Sequence, residues 1–157
     1  MNREFLNKYI DKNSRILEVG CNVGNQLRLL QKMGYDNLYG VEIQDYAVEM
    51  AKKFTRNINI IKGIADDILF KDGYFDVVFT SGVLIHINPQ SINKILGEIY
   101  RCSNRYVWGM EYYSDSYKKI IYRGNDNLLW KTDFFRLYLN EFRNLKCLKY
   151  KKYKYID

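Results

Sequence analysis

Residues 15–30, RILEVGCNVGNQLRLL, set a short apolar run, a glycine-bearing turn and an amphipathic helix in immediate succession. A strand feeding a helix through so tight a turn is the opening of a strand–helix–strand unit, which implies a parallel sheet with crossover helices. The turn itself is selective. A dinucleotide loop of the G-x-G-x-x-G kind needs its second glycine so that backbone can approach the pyrophosphate. Here Asn22 stands at that place, a residue that tolerates the left-handed conformation but carries a side chain. Glu18, at the carboxyl end of the strand, would repel a phosphate held at the helix N-terminus. Both features suit a ligand that has an ammonium group and no phosphate.

The rest of the chain continues the alternation. Strands are predicted at NLYGVEI (37–43), INIIKG (58–63), YFDVVFTSG (74–82) and NRYVWGMEYY (104–113). Helices are predicted at NQLRLLQKM, ending at Gly34, and at DYAVEMAKKF, with Asp45 as N-cap. Two more follow, QSINKILGEIYRC opened by Pro89, and 131–142 capped by Thr132 or Asp133. Between 113 and 131 the pattern is less regular, and LKCLKYKKYKYID at the end is a strand candidate. With one proline and no low-complexity run, residues 1–157 read as a single domain. Ligands of such sheets bind at the carboxyl ends of the strands, which gathers the loops after Val19, Val41, Lys62 and Thr80 around one crevice.

Composition narrows the class. No run of about 18 uncharged apolar residues occurs, and the N-terminus lacks the apolar core of a signal peptide. Cys21, Cys102 and Cys147 show no paired spacing and read as reduced thiols in a cytoplasmic protein. They suggest no metal site. The net charge of +7 owes much to Lys146, Lys149, Lys151, Lys152 and Lys154 near the end. That cluster is either a solvated strand edge or a contact for nucleic acid or an anionic substrate.

S-adenosylmethionine is a ligand of the required kind. Glu18 would meet its amino group, and turn N–H groups with the helix end would take its carboxylate. Glu42 lies 22 residues beyond Gly20, the offset at which an acid accepts both ribose hydroxyls. The candidate cofactor residues are Glu18, Gly20, Cys21, Asn22, Gly24, Asn25, Glu42, Ile43, Ala65, Asp66 and Ser81.

At these positions the chain resembles class I S-adenosylmethionine-dependent methyltransferases. ILEVGCNVG looks like their first motif, GVEI their second and GYFDVVFTSGVLIHI their fourth. The resemblance implies an α/β, Rossmann-like, mostly parallel twisted sheet with helices on both faces. That family has seven strands ending in an antiparallel hairpin. Too few residues follow 142 for the whole hairpin, so it is expected to be shortened. The exposed edge implies a monomer, or a homodimer that covers it. GIADDILF has Ile64 where an adenine-binding aspartate often stands, so adenine contacts pass to the Ala65 N–H, Asp66 and apolar neighbours. A narrower resemblance is to pseudaminic acid biosynthesis-associated methylases, in GCNVG, GVLIHINP, EYY and YRGNDNLLWKTDF (122–134). It implies a sugar or nucleotide-sugar acceptor.

His86, the only histidine, follows the fourth strand and is a candidate general base or a structural residue closing that loop. Glu111 is an alternative base, with Tyr112 beside it. Tyr113, Arg123 and Lys131 are candidates for binding an anionic, ring-bearing acceptor. The absence of an N-P-P-Y-like tetrapeptide after the fourth strand argues against transfer to exocyclic base or amide nitrogens. A small-molecule acceptor is therefore favoured, with no membrane partner. RNA or protein methylation, or a non-catalytic cofactor-binding subunit that activates a partner, are the alternatives.

Overall fold

Alternate residues along each strand go to opposite faces, and this period of two splits the apolar side chains into two cores. The computed structural model describes residues 3–154. Five strands, β1 (Ile16–Val19), β2 (Leu38–Glu42), β3 (Asn59–Lys62), β4 (Phe75–Ser81) and β5 (Ser103–Met110), form one sheet in the order β3-β2-β1-β4-β5, all parallel. Leu17, Val19 and Val78 face one core with Ile95 and Ile99 of α4 (Ile92–Cys102) and Phe134 and Tyr138 of α5 (Phe134–Glu141). Ile16, Val77 and Phe79 face the other. There they meet α1 (Arg3–Tyr9), α2 (Asn25–Lys32) and α3 (Asp45–Phe54) through Phe5, Leu6, Leu27 and Ala51. Each such fully buried side chain contributes about 2 kcal/mol against exposure.

The chain winds outward from β1 to β3, then restarts at β4 on the other side of β1. This reversal opens the crevice at the carboxyl ends of β1 and β4, where Glu18 and Ser81 lie.

Several elements differ from the sequence reading. Asp45 is the first helical residue of α3 rather than its N-cap; Gln44 holds that place, and Asp45 pairs with Lys62 at 2.5 Å. Pro89 lies in a turn ahead of α4, whose N-cap is Ser91. β5 stops at Met110, so Glu111, Tyr112 and Tyr113 lie just past it. The less regular region closes into a short hairpin, β6 (Lys118–Lys119) against antiparallel β7 (Trp130–Lys131). Asp133 does cap α5, accepting from the Arg136 N–H at 3.0 Å.

The basic segment forms no strand through residue 154; the last three residues lie outside those described. Its contacts explain why. Tyr150 stacks on Phe135 at 4.5 Å, Lys152 sits over the Tyr113 ring at 3.4 Å, and Lys149 pairs with Glu4. Side-chain contacts thus replace a ladder, and the outer edge of β5 has no strand beside it among the described residues. No helix of the described residues is long and apolar enough to cross a membrane.

The segment after β3 is held by a polar clamp from α4. Arg101 donates to the carbonyls of Ile68 at 2.8 Å and Phe70 at 2.7 Å, and pairs with Asp72 and Glu98. Glu98 in turn accepts from the Ile68 N–H at 2.8 Å. Hydrogen bonds to Glu98, then Asp72, raise the Arg101 pKa further, and those from Arg101 lower that of Glu98. Arg101→Met leaves two carbonyls and a half-buried carboxylate without their donor. Its expected cost is about 2 kcal/mol, read as a lower urea midpoint at unchanged slope.

Candidate cofactor and acceptor site

The turn after β1 is built by its own backbone. Gly20 and Cys21 both donate to the Val41 carbonyl, at 2.8 and 3.1 Å, and Gly24 donates to Cys21 O at 2.9 Å. Asn22 takes the left-handed conformation at φ 49°, and its amide oxygen accepts from the Val23 N–H at 2.7 Å. Its own N–H donates to Glu42 Oε2 at 2.9 Å. Every N–H from 20 to 24 is thereby engaged. The first bond of α2 runs from Arg28 N to Gly24 O, and Gly24 supplies no side-chain cap. The N–H groups of Asn25, Gln26 and Leu27 therefore form the uncapped first turn, the positive end of the helix. The sequence reading gave an anionic ligand both turn and helix; the structure leaves it chiefly the helix.

Between this turn and Ser81 lies a cavity of about 260 Å³, lined also by Glu18, Cys21, Asn25 and Gln26. Glu18 is 3% exposed, and its Oε2 is buried without a hydrogen-bond partner. Burial, with the charge of Glu42 adding to it, pushes the Glu18 pKa up to about 8. An isolated carboxylate this deep is costly unless a cation meets it. Burial also pushes the Cys21 thiol up to about 12, with Glu18 and Glu42 contributing, so this cysteine is no nucleophile. Glu42 stands behind the turn and divides its oxygens between the N–H groups of Asn22 and Gln44, both at 2.9 Å.

The far side of the crevice is a 3₁₀ turn at 84–86 following β4. Val83 presses on the turn after β1, since a Cβ on Gly20 would lie 2.5 Å from Val83 Cγ2. His86 Nδ1 is 2.7 Å from the Leu128 carbonyl, which only accepts, so in the neutral ring that nitrogen carries the proton and Nε2 the lone pair. The Tyr122 ring lies 5.6 Å from the imidazole and 5.3 Å from the Arg123 guanidinium. Lys131 sits 5.1 Å over the Tyr112 ring. Tyr113, besides its contact with Lys152, donates to Asp115.

Residues 17–105 match the methyltransferase domain family. The chain belongs to it. A ribosomal protein L11 methyltransferase of Thermotoga neapolitana is 33% identical over 58% of this chain and 35% of its own length. A sterol 24-C-methyltransferase of Schizosaccharomyces pombe is 31% identical over 59% of this chain and 25% of its own. The chain thus spans a quarter to a third of the length of these curated relatives. Among solved structures, a Pyrococcus horikoshii protein is 25% identical with a TM-score of 0.63, over 69% of this chain and 54% of that one.

The residues of this methyltransferase domain fit S-adenosylmethionine. A buried carboxylate without a partner awaits an ammonium, an uncapped helix end a carboxylate, and an acid ends β2. Of the eleven candidate cofactor residues, Glu18, Gly20, Cys21, Asn22, Asn25 and Ser81 line the cavity together. Gly24 starts α2 and Glu42 backs the turn. Ile43, exposed, and Ala65 and Asp66, in a tight turn where Asp66 pairs with Lys94 at 3.3 Å, lie on the neighbouring loops and outside the cavity lining.

Sequence reasoning missed Val23 and Gln26 in the lining, the Val83 contact and the Leu128 carbonyl. Gln26 was within reach as a neighbour of Asn25 in the first helical turn. A backbone carbonyl leaves no trace in a sequence.

Proposed function

We propose that this domain binds S-adenosylmethionine in the β1–β4 crevice and directs its methyl to a hydroxyl or amine of a small acceptor, a sugar or nucleotide-sugar of glycan synthesis. The observation that carries the reading is Glu18, a buried carboxylate without a partner on the wall of a polar cavity. Bound there, the sulfonium supplies an activated methyl. The protein's task is then alignment of the acceptor atom at attack distance and removal of its proton. Glu18 and the first turn of α2 would hold the amino-acid end, and Glu42 the ribose diol.

On the acceptor side, His86 holds its proton on Nδ1 and offers Nε2 as the base. Tyr112 with Lys131, Tyr113 with Lys152 and Tyr122 with Arg123 pair an aromatic face with a cation. Such pairs suit a ring that bears a carboxylate or phosphate. This supports an anionic sugar.

Calorimetric titration with S-adenosylmethionine tests the cofactor. Glu42→Ala removes the ribose acceptor together with the anchor of the Asn22 and Gln44 N–H groups. Its affinity is expected to fall by roughly tenfold to a hundredfold. Unchanged affinity would remove Glu42 from the site. A screen of nucleotide-sugars with labelled methyl donor tests the acceptor, and transfer only to ribosomal RNA or protein would replace the sugar reading.

A further inference from the structure

We propose that Glu111 is a positioning residue that seats the 83–86 turn, and through it His86, rather than a proton acceptor for the substrate. The inference rests on the reading of His86 as the base beside the bound donor.

Glu111 follows β5 directly but turns inward beneath the neighbouring turn. Its Oε1 accepts from the Val83 N–H at 3.3 Å. The Thr80 hydroxyl and the N–H groups of Leu84 and Ile85 lie around the same carboxyl and favour its charged form. The N–H groups of residues 83–85 lie at the start of the 3₁₀ turn, where an anion replaces the partners that a short helix lacks. From the other side α5 closes the site with Tyr138, whose hydroxyl, like Glu111 Oε2, is buried with no partner. Burial first, then the charge of Glu111, raises the Tyr138 pKa. Burial raises that of Glu111 too, against the lowering pull of Thr80 and the three N–H groups.

With Oε2 shut off from solvent and Oε1 turned to the Val83 N–H, this carboxyl faces the turn rather than an entering acceptor. What it does reach is consequential. The turn it holds presses Val83 on Gly20 and carries His86 to the Leu128 carbonyl. One side chain thus couples the cofactor turn, the imidazole and the hairpin. Loss of its charge frees the turn, and with it the hydrogen bond that keeps the proton on Nδ1, the less populated tautomer of a free histidine side chain.

Because the chain has one histidine, ¹⁵N spectra of the uniformly labelled protein report His86 without ambiguity. The neutral wild-type ring is expected to be protonated on Nδ1. Glu111→Gln is expected to turn it into a mixture containing the Nε2–H form, and to weaken S-adenosylmethionine binding about tenfold. A wild-type ring protonated on Nε2 overturns the proposal. So do unmoved His86 resonances in the variant, the result expected of a base that touches only substrate.

If the variant does not fold, the wild-type protein decides. The amide signals of Val83, Leu84 and Ile85 should titrate together with the Glu111 carboxyl carbon, and amides silent through that titration refute the contact. Failure of the wild-type protein to bind S-adenosylmethionine would sink the proposed function, while the tautomer readout would still judge Glu111.

Discussion

Glu18→Gln is expected to weaken S-adenosylmethionine binding by at least a hundredfold while making the free protein more stable at alkaline pH. Both effects have one origin. The folded protein holds the Glu18 proton up to about pH 8, whereas the ordinary carboxyl value is 4.5. With the folded pKa raised, the stabilising contribution of the neutral acid is complete below pH 4.5 and is lost as pH rises through 8. Ionisation then strains the free protein by an amount on the order of 5 kcal/mol at pH 9. Glutamine keeps the shape and removes that slope, so the denaturation midpoints of wild type and variant should diverge from pH 5 to 9, the variant the higher. Parallel curves would mean that Glu18 is not desolvated in the free state.

Binding carries the opposite sign. A ligand ammonium needs the carboxylate, so wild-type affinity should rise about tenfold per unit from pH 6 to 7. It should flatten near pH 8, where an α-amino group, with an ordinary pKa of about 7.7–8.0, begins to lose its own proton. The variant's weak binding should show no such rise. Calorimetry in buffers of different ionisation enthalpy would detect proton release by the wild type alone near neutrality.

Gly20→Ala is expected to cost about 2–4 kcal/mol of stability and most of the cofactor affinity. Gly20 has φ +71°, a region where a Cβ costs about 1–2 kcal/mol. The new methyl would also lie 2.5 Å from Val83 Cγ2 and 3.1 Å from Cγ1, on a β-branched side chain with little rotamer freedom. Relief requires the 83–86 turn to retreat, which opens the crevice on both sides. Adding Val83→Ala removes the steric share but not the backbone share, so the double variant should recover roughly half the loss in urea unfolding. A double variant no more stable than Gly20→Ala would mean that Val83 makes way at no cost.

The site divides along the same line between local and distant causes. Glu18, Gly20, Asn22 and Gly24 were readable because turn chemistry is local. A left-handed residue, an acid at a strand end and a helix start are separated by few residues, and their spacing determines their geometry. Five parallel strands were readable for a similar reason, because alternating periods of two and about 3.6 admit few topologies. The boundaries that misled share another cause. Asp45 was drawn from the cap of α3 to an ion pair with Lys62, and β5 ended early where Glu111 turns to the Val83 N–H of a different loop. α1 shows little periodicity, and it packs through Phe5 and Tyr9 on Tyr106, about a hundred residues away. The basic tail has the composition of a strand edge, yet Phe135, Tyr113 and Glu4 hold it by its side chains.

The sequence by itself determined the sheet, the crevice and the glycine turn after β1, since each follows from the order and periodicity of neighbouring residues. Only the tertiary structure decided which nitrogen of His86 carries the proton, that Glu111 faces inward, and that the N–H groups of the turn are already engaged. Each of these depends on a partner brought close by the fold from a distant part of the chain or from its backbone, and neither is encoded in local spacing.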